Sequence, residues 1–259
     1  MSQRFGQHFL SSTHILERIA EAACPTPTQV AIEIGPGHGS LTERLLPRVE
    51  RLIALEIDPY LVAELEEKFR DEPRLQVVQC DAMEYDWSQW CPDVICGNLP
   101  YYVATPIVVR AARSGVRTVA LIQKEVADRI TALPRCRDYG FLTVEIGLYA
   151  GARSLFNVKP GSFHPPPKVD STVIALEPNH LAERLAVTDG KFLAFASACF
   201  RHKRKTIRNN VASLYSREVM DANPLVSQLV GQRAEQCSIE QLADLWRGLE
   251  AHGKGYPAD

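Results

Sequence analysis

The chain has no apolar run approaching the ~20 residues that a bilayer-spanning helix requires, so no membrane span is expected among its 259 residues. Its start, Met1-Ser2-Gln3-Arg4-Phe5-Gly6, lacks a charged stretch followed by an apolar one, and no secretory signal is expected. No Cys-x-x-Cys pair occurs, and the seven cysteines are odd in number and scattered. That pattern speaks against a disulfide frame and against a zinc site, so no metal is expected and the thiols read as reduced, in a cytoplasmic protein. A large charge imbalance is also absent. The net charge of −2 argues against indiscriminate nucleic-acid binding over the whole surface. No internal repeat or low-complexity tract stands out.

What is present is the composition of a globular protein, 46% hydrophobic and 23% charged. The length suits one large domain and a small one. Short β-type runs alternate with helical spacing over the first two-thirds, the signature of βαβ units and a parallel sheet. Strands are expected at Val30 to Ile34, Leu52 to Glu56, Leu75 to Cys80, Val94 to Gly97 and Thr118 to Gln123. Helical spacing marks Leu41 to Leu46 and Leu61 to Phe69. Val144 to Tyr149 and Val173 to Leu176 are candidates for antiparallel edge strands. After Pro178 the β signal stops, and Phe192 to Phe200, Thr206 to Leu214 and Ile239 to Leu249 read as amphipathic helices. Ser238 and Gln241 form a candidate capping box. A domain boundary is expected near residue 180, between a catalytic domain (1–180) and a small helical domain (181–259), with the tail Gly253 to Pro257 disordered.

Three strand ends carry candidate ligands for a cofactor. Gly35-Pro36-Gly37-His38-Gly39 follows the first strand, where glycines permit a tight turn and close approach of a ligand to Gly35 and Gly37. The spacing is not the Gly-x-Gly-x-x-Gly of dinucleotide sites, and a plain structural turn competes with a binding loop. Glu56 ends the second strand, where an acid can accept ribose hydroxyls, and Asp81 follows the third, where one can accept from an adenine amine. Each could instead be a solvated loop residue or a helix cap. Together they point to one crevice at the carboxyl ends of a parallel sheet. Glu33 precedes the loop and no lysine or arginine adjoins it in sequence. That suits the cationic S-adenosyl-L-methionine better than a pyrophosphate.

Asn98-Leu99-Pro100-Tyr101-Tyr102 closes the fourth strand. The side-chain oxygen of Asn98 and the carbonyl of Leu99 can both accept from one exocyclic amine, with Pro100 stiffening the turn. Tyr101 offers a flat face for an extruded base. A strand-end turn with its tyrosines packed on a helix is the blander alternative.

These residues carry a resemblance. Asn98-Leu99-Pro100-Tyr101, with Glu33-Ile34-Gly35-Pro36-Gly37 and Asp81-Ala82-Met83, resembles the ribosomal RNA adenine N6,N6-dimethyltransferase family, the KsgA-like small-subunit group. Arg4-Phe5-Gly6-Gln7-His8-Phe9-Leu10, Gln123-Lys124-Glu125-Val126 and Phe163-His164-Pro165-Pro166-Pro167-Lys168-Val169-Asp170-Ser171 extend the likeness. It implies a Rossmann-like class I S-adenosylmethionine-dependent methyltransferase fold in the α/β class, with a small C-terminal α-helical domain. It also implies that Gly35, Glu56, Asp81, Asn98, His8 and Leu10 contact the cofactor and that Tyr101 and Phe163 sandwich the target adenine. A core aromatic beside a rigid proline turn is the blander alternative for Phe163.

The chain departs from the family's Asn-Ile-Ser-Thr-Pro continuation with Tyr102-Val103-Ala104-Thr105-Pro106, and the usual basic extension before the opening motif is nearly absent. In the second domain Arg201, Lys203, Arg204, Lys205 and Arg208 stand with no acid among them, and the run resembles the family's Arg-Arg-Lys-Thr-Ile-Arg-Asn motif. Phosphate contacts are one reading and a solvated helix face the other.

The implied reaction is dimethylation of N6 on two adjacent adenosines near the 3′ end of small-subunit rRNA, in a partly assembled 30S particle. A monomer with no membrane and no obligate protein partner is expected. Rival readings are a resistance-type methylase acting on the large subunit and an assembly factor with dispensable catalysis. DNA adenine methylation is a third, although its usual acid-Pro-Pro-aromatic motif is not the one here.

Overall fold

The computed structural model describes residues 8–188 and 190–252. Arg4 to Gln7 of the opening motif and the tail Gly253 to Pro257 lie outside the described residues. The chain divides into two compact units. One comprises the chain to Ala127 with Ala150–Pro178; the other comprises Asp128–Tyr149 and the chain from Asn179. Among the described residues no helix is long and apolar enough to cross a membrane.

Among the described residues the first unit holds nine strands: β1 (Phe9–Leu10), β2 (Thr28–Ile34), β3 (Val49–Glu56), β4 (Leu75–Gln79), β5 (Val94–Asn98), β6 (Arg117–Gln123), β7 (Ala150–Val158), β8 (Phe163–His164) and β9 (Ser171–Pro178). Seven form one sheet in the order β4-β3-β2-β5-β6-β9-β7, and β1 pairs with β8 in a separate ribbon. The order reverses between β2 and β5, which are parallel neighbours. All five strands from β4 to β6 run parallel, and β9 alone is reversed, antiparallel to both of its neighbours β6 and β7. Residues Leu52 to Glu56 of β3 and Thr118 to Ile122 of β6 are buried without interruption, as strands covered on both faces require.

Helices α1 (Thr13–Ala23), α2 (Thr42–Leu45), α3 (Pro59–Lys68) and α4 (Ala104–Arg113) belong to this unit, and α5 (Lys124–Ile130) begins in it. α1 buries Leu16, Ile19, Ala20 and Ala23, an i, i+3, i+4, i+7 stripe. α3 starts with Pro59 at its first position and with the Asp58 carboxylate accepting from the Tyr60 N–H at 2.9 Å. Helical spacing at Leu41 to Leu46 yields only the single turn of α2. Pro47, which has no N–H to donate, tightens the chain into a 3-10 turn, Leu46–Arg48.

The second unit is helical: α6 (Phe141–Gly147), α7 (Leu181–Arg184), α8 (Lys191–Phe200), α9 (Ile207–Val211), α10 (Arg217–Met220), α11 (Pro224–Val230) and α12 (Ile239–Glu250). Its core gathers Phe192, Phe195, Val211, Leu242 and Leu245 with Val144 and Leu148. The candidate box at α12 is present: the Ser238 hydroxyl accepts from Gln241 N–H at 3.3 Å and the Gln241 carbonyl from Ser238 N–H at 2.9 Å.

Two expectations are corrected here. Val144 to Tyr149 is no edge strand: its first four residues lie in α6, whose apolar residues pack into the helical core, and tertiary packing overrides β-branched propensity. The division also differs from a single boundary near residue 180, because Asp128–Tyr149 belongs to the second unit.

Candidate active site

A crevice in the first unit runs along the carboxyl ends of β2, β3 and β5, and its walls include His8, Leu10, Glu33, Gly35, Gly37, Glu56, Asp81 and Asn98. The sheet's change of order brings those ends together, as in other open α/β sheets. Gly35 and Gly37 have φ of 68° and 57°, left-handed values that strain any residue with a side chain. A Cβ on Gly37 would also stand 3.0 Å from the Phe9 ring. Phe9 in turn lies 4.4 Å, centroid to centroid, from the His38 ring, so β1 rests on the glycine loop. Lys68 reaches that loop as well, donating to the His38 carbonyl at 2.8 Å while paired with Glu43, a cation that sequence proximity did not reveal.

Two carboxylates are buried against this loop. Glu56 accepts from the backbone N–H of Gly37 at 3.2 Å, of Ile57 at 2.9 Å and of Asp58 at 3.0 Å. Burial pushes its carboxyl up and those three bonds pull it back. Glu33 accepts from the Thr42 hydroxyl at 2.6 Å. Burial pushes it up to about 7, with the neighbouring Glu56 charge adding and the Thr42 bond opposing.

A carboxyl raised in the fold favours folding most while it is neutral. The Glu33 contribution is complete below its ordinary 4.5 and is lost as pH rises through about 7. Glu33→Gln stays neutral, so its unfolding free energy in urea should fall less between about pH 5 and about pH 8 than that of the parent. Equal falls in both proteins would show that Glu33 ionises at no cost.

Asp81 is exposed, and its side chain accepts from Met83 N–H at 2.7 Å, shaping the turn after β4. Arg110 on α4 holds the same turn by donating to the carbonyls of Ala82, at 2.7 Å, and Tyr85. Its guanidinium lies 4.4 Å from the buried Trp87 ring. Sequence reasoning missed Arg110: it acts from a helix 28 residues beyond the carbonyl of Ala82 and belongs to no motif.

Asn98 ends β5. Its amide nitrogen donates to the His8 carbonyl at 3.0 Å, so the NH2 end is fixed toward β1 and the oxygen has no partner among the described residues. Leu99 is anchored by its N–H to the Leu121 carbonyl at 3.1 Å, and Pro100 accepts from Val103 N–H at 3.1 Å to close the turn. The Tyr101 hydroxyl is 2.7 Å from that of Ser171, and its ring centroid is 5.6 Å from His8. His8 Nδ1 lies 2.8 Å from the Pro165 carbonyl. Tyr102, where the family pattern has asparagine, is 58% exposed on the same wall.

Phe163 is not brought to the crevice. It pairs with Leu10 across the β1–β8 ribbon and is buried in one apolar cluster with Leu10, Leu16 and Ile19. The pairing sets Phe163 and Leu10 on one face of the ribbon, against that cluster. Leu10 sits in both that cluster and the crevice wall.

The basic run lies in the second unit, in the turn after α8 and at the start of α9. Arg201, Lys203, Arg204 and Lys205 are exposed and Arg208 is half-buried. Two of these cations do have acids nearby, contrary to the local sequence. Arg208 pairs with Asp221 at 2.5 Å, and Lys203 lies 3.9 Å from Glu235. The turn is held by Asn210, whose buried amide donates to Cys199 and His202 carbonyls at 2.7 and 3.2 Å and accepts from His202 N–H at 3.1 Å.

The chain matches the model of the ribosomal RNA adenine dimethylase family over residues 1–250. It is 38% identical to the ribosomal RNA small subunit methyltransferase A of Acidobacterium capsulatum, over 95% of this chain and 90% of the relative. It is also 38% identical to the enzyme of that name from Synechococcus elongatus, over 95% and 93%. Among solved structures, a dimethyladenosine transferase from Plasmodium falciparum shares the fold at a TM-score of 0.80 and 23% identity, over 96% of this chain and 99% of that one. The 23S rRNA methyltransferase ErmE matches at a TM-score of 0.70 and 27% identity, over 93% and 99%. This family and fold imply use of S-adenosylmethionine. The chain belongs to the ribosomal RNA adenine dimethylase family.

Proposed function

We propose that this protein dimethylates N6 of two adjacent adenosines near the 3′ end of small-subunit rRNA. It acts as a cytoplasmic monomer on a partly assembled 30S particle. The observation that carries the reading is the set of Asn98: a carboxamide at a strand end, with its nitrogen spent on the His8 carbonyl, in a crevice that two buried carboxylates also line.

S-adenosyl-L-methionine, when bound, supplies a methyl group activated by a sulfonium. Glu33, Glu56 and Asp81 fit a cationic adenosine cofactor. In this reading Gly35 and Gly37 let it approach the backbone, and His8 and Leu10 line its methionine end. The Asn98 oxygen and the Leu99 carbonyl accept the two hydrogens of the target amine, turning its lone pair away from the ring. Tyr101, held by Ser171, offers a stacking face worth about 1–3 kcal/mol. That stacking helps offset the few kcal/mol of extruding a base. Positioning supplies most of the acceleration and no strong base is needed, because the proton can leave to water after transfer.

The deciding experiment offers labelled cofactor with unmethylated small subunits, large subunits and duplex DNA, then maps the labelled nucleotide. Label confined to adjacent small-subunit adenosines supports the reading. Label on a large-subunit adenosine would favour the activity named for ErmE.

The basic turn is proposed to hold rRNA phosphates. Neutralising Lys203, Arg204 and Lys205 together should weaken particle binding by on the order of 10- to 100-fold and flatten its salt dependence by about two units of slope. Unchanged affinity and slope would assign the run to solvent.

A further inference from the structure

We propose that the loop Leu133-Pro134-Arg135-Cys136-Arg137-Asp138 is a second part of the RNA-binding surface, with Arg135 and Arg137 contacting the phosphate backbone. This rests on the reading of the Arg201–Lys205 turn as a phosphate grip and extends it to residues that no motif singled out.

All six residues of the loop are exposed, Leu133 by 70%. Exposed loops are usually mobile, yet this one is fastened to the basic turn and its surroundings. The Arg135 N–H donates to the Glu235 carbonyl at 2.7 Å, and the Lys203 ammonium donates to the Arg137 carbonyl. Cys136 N–H donates to Leu133 at 3.1 Å, and Tyr139 N–H to Cys136 at 3.2 Å. Tyr139 itself is buried, its ring 6.0 Å from that of Phe200, the residue before Arg201. The backbone is thus set while both arginine side chains extend into solvent.

Among the described residues neither Arg135 nor Arg137 is paired with a carboxylate, and the same holds for Arg201, Arg204 and Lys205. Asp138, Glu235 and Glu240 are acids nearby, Glu240 close enough for its charge to act on Tyr139, and Glu235 faces Lys203. The surface therefore presents five unpaired cations, four of them guanidinium groups, whose planar donors suit phosphate oxygens. A fixed backbone also lowers the ordering cost of using them. Lys203 has a part besides its share in the first grip: its ammonium, donating to the Arg137 carbonyl, is also a strut joining the two segments. Leu133 adds an apolar contact beside the charges, suited to a ribose or base edge.

The test uses the full-length protein, a 3′-terminal small-subunit rRNA fragment and whole small subunits, with affinity measured over a salt series. Arg135→Gln with Arg137→Gln should weaken binding to both probes about tenfold and lower the slope of log K against log salt by about 1.5, as expected for two lost phosphate contacts. Arg135→Lys with Arg137→Lys, which keeps the charge, should stay within about threefold of the parent. An unchanged thermal midpoint in both variants controls for the fold. Parental affinity and slope in the glutamine variant, while Arg204→Gln with Lys205→Gln binds weakly, would overturn the proposal and leave the first grip standing. Weakened binding to subunits but not to the fragment would assign the loop to a ribosomal protein, which also overturns it. If the Arg204 and Lys205 variant binds as tightly as the parent, the underlying phosphate grip fails as well.

Discussion

Asn98→Ala is expected to lower the single-turnover rate of methyl transfer by on the order of 10³-fold while particle affinity changes little. The side chain has two separable jobs. Its nitrogen ties the His8 carbonyl at 3.0 Å and so holds β1 against the crevice, and its oxygen is available to the incoming amine. Alanine removes both, so cofactor affinity should weaken by a few-fold through the loosened His8 segment. The larger loss falls on the chemical step, because an acceptor that aligns the amine acts mainly in the transition state. Asn98→Asp separates the two jobs. It keeps acceptor oxygens, loses the donor to His8 and adds a negative charge to a crevice that already buries Glu33 and Glu56. Its transfer rate should also collapse, with a stronger dependence on pH than the alanine variant. Transfer by Asn98→Ala at more than about a tenth of the parental rate would remove this residue from the centre of the mechanism.

The parallel core of the fold was legible because its central strands carry apolar runs, and even the half-buried edge strand β4 keeps Val77 and Val78. Every strand expected from Val30 to Gln123 corresponds to one of β2 through β6. Once those strands are parallel neighbours, their carboxyl ends must share an edge. That is why Gly35, Glu56, Asp81 and Asn98, spread over 64 positions, could be gathered from sequence and do line one crevice. What could not be read depends on pairings distant in the chain. Phe163 pairs with Leu10 in a two-residue ribbon, and nothing in its own neighbourhood specifies that partner. Val144 to Tyr149 is short and mostly apolar apart from Glu145, a run whose period cannot separate strand from buried helix, and the helical core decided it. The acids that face Lys203 and Arg208 come from Glu235 and Asp221, outside any window a charge run would be judged by.

Gly97→Ala should destabilise the first unit by about 3 kcal/mol or more and weaken cofactor binding by on the order of 100-fold. Gly97 lies in β5, one residue before Asn98, where the chain leaving β2 passes over it. A Cβ there would stand 2.3 Å from the Ile34 carbonyl oxygen and 3.3 Å from Ile34 N and C. Those are backbone atoms, so no rotamer change relieves the contact and the two strands must part by roughly an ångström. Ile34 is followed directly by Gly35, so the displacement is passed to the glycine loop, while Asn98 is carried the other way. Stability and binding should therefore fail together. Gly161→Ala is the matching control: its Cβ would meet nothing within 4 Å, and the change should stay within about 0.5 kcal/mol. Urea unfolding and calorimetric titration with S-adenosylhomocysteine measure both quantities. A Gly97→Ala protein that unfolds and binds like Gly161→Ala would mean that β2 and β5 can yield by an ångström at little cost. The close approach of Ile34 to Gly97 would then not be what sets the distance between the glycine loop and Asn98.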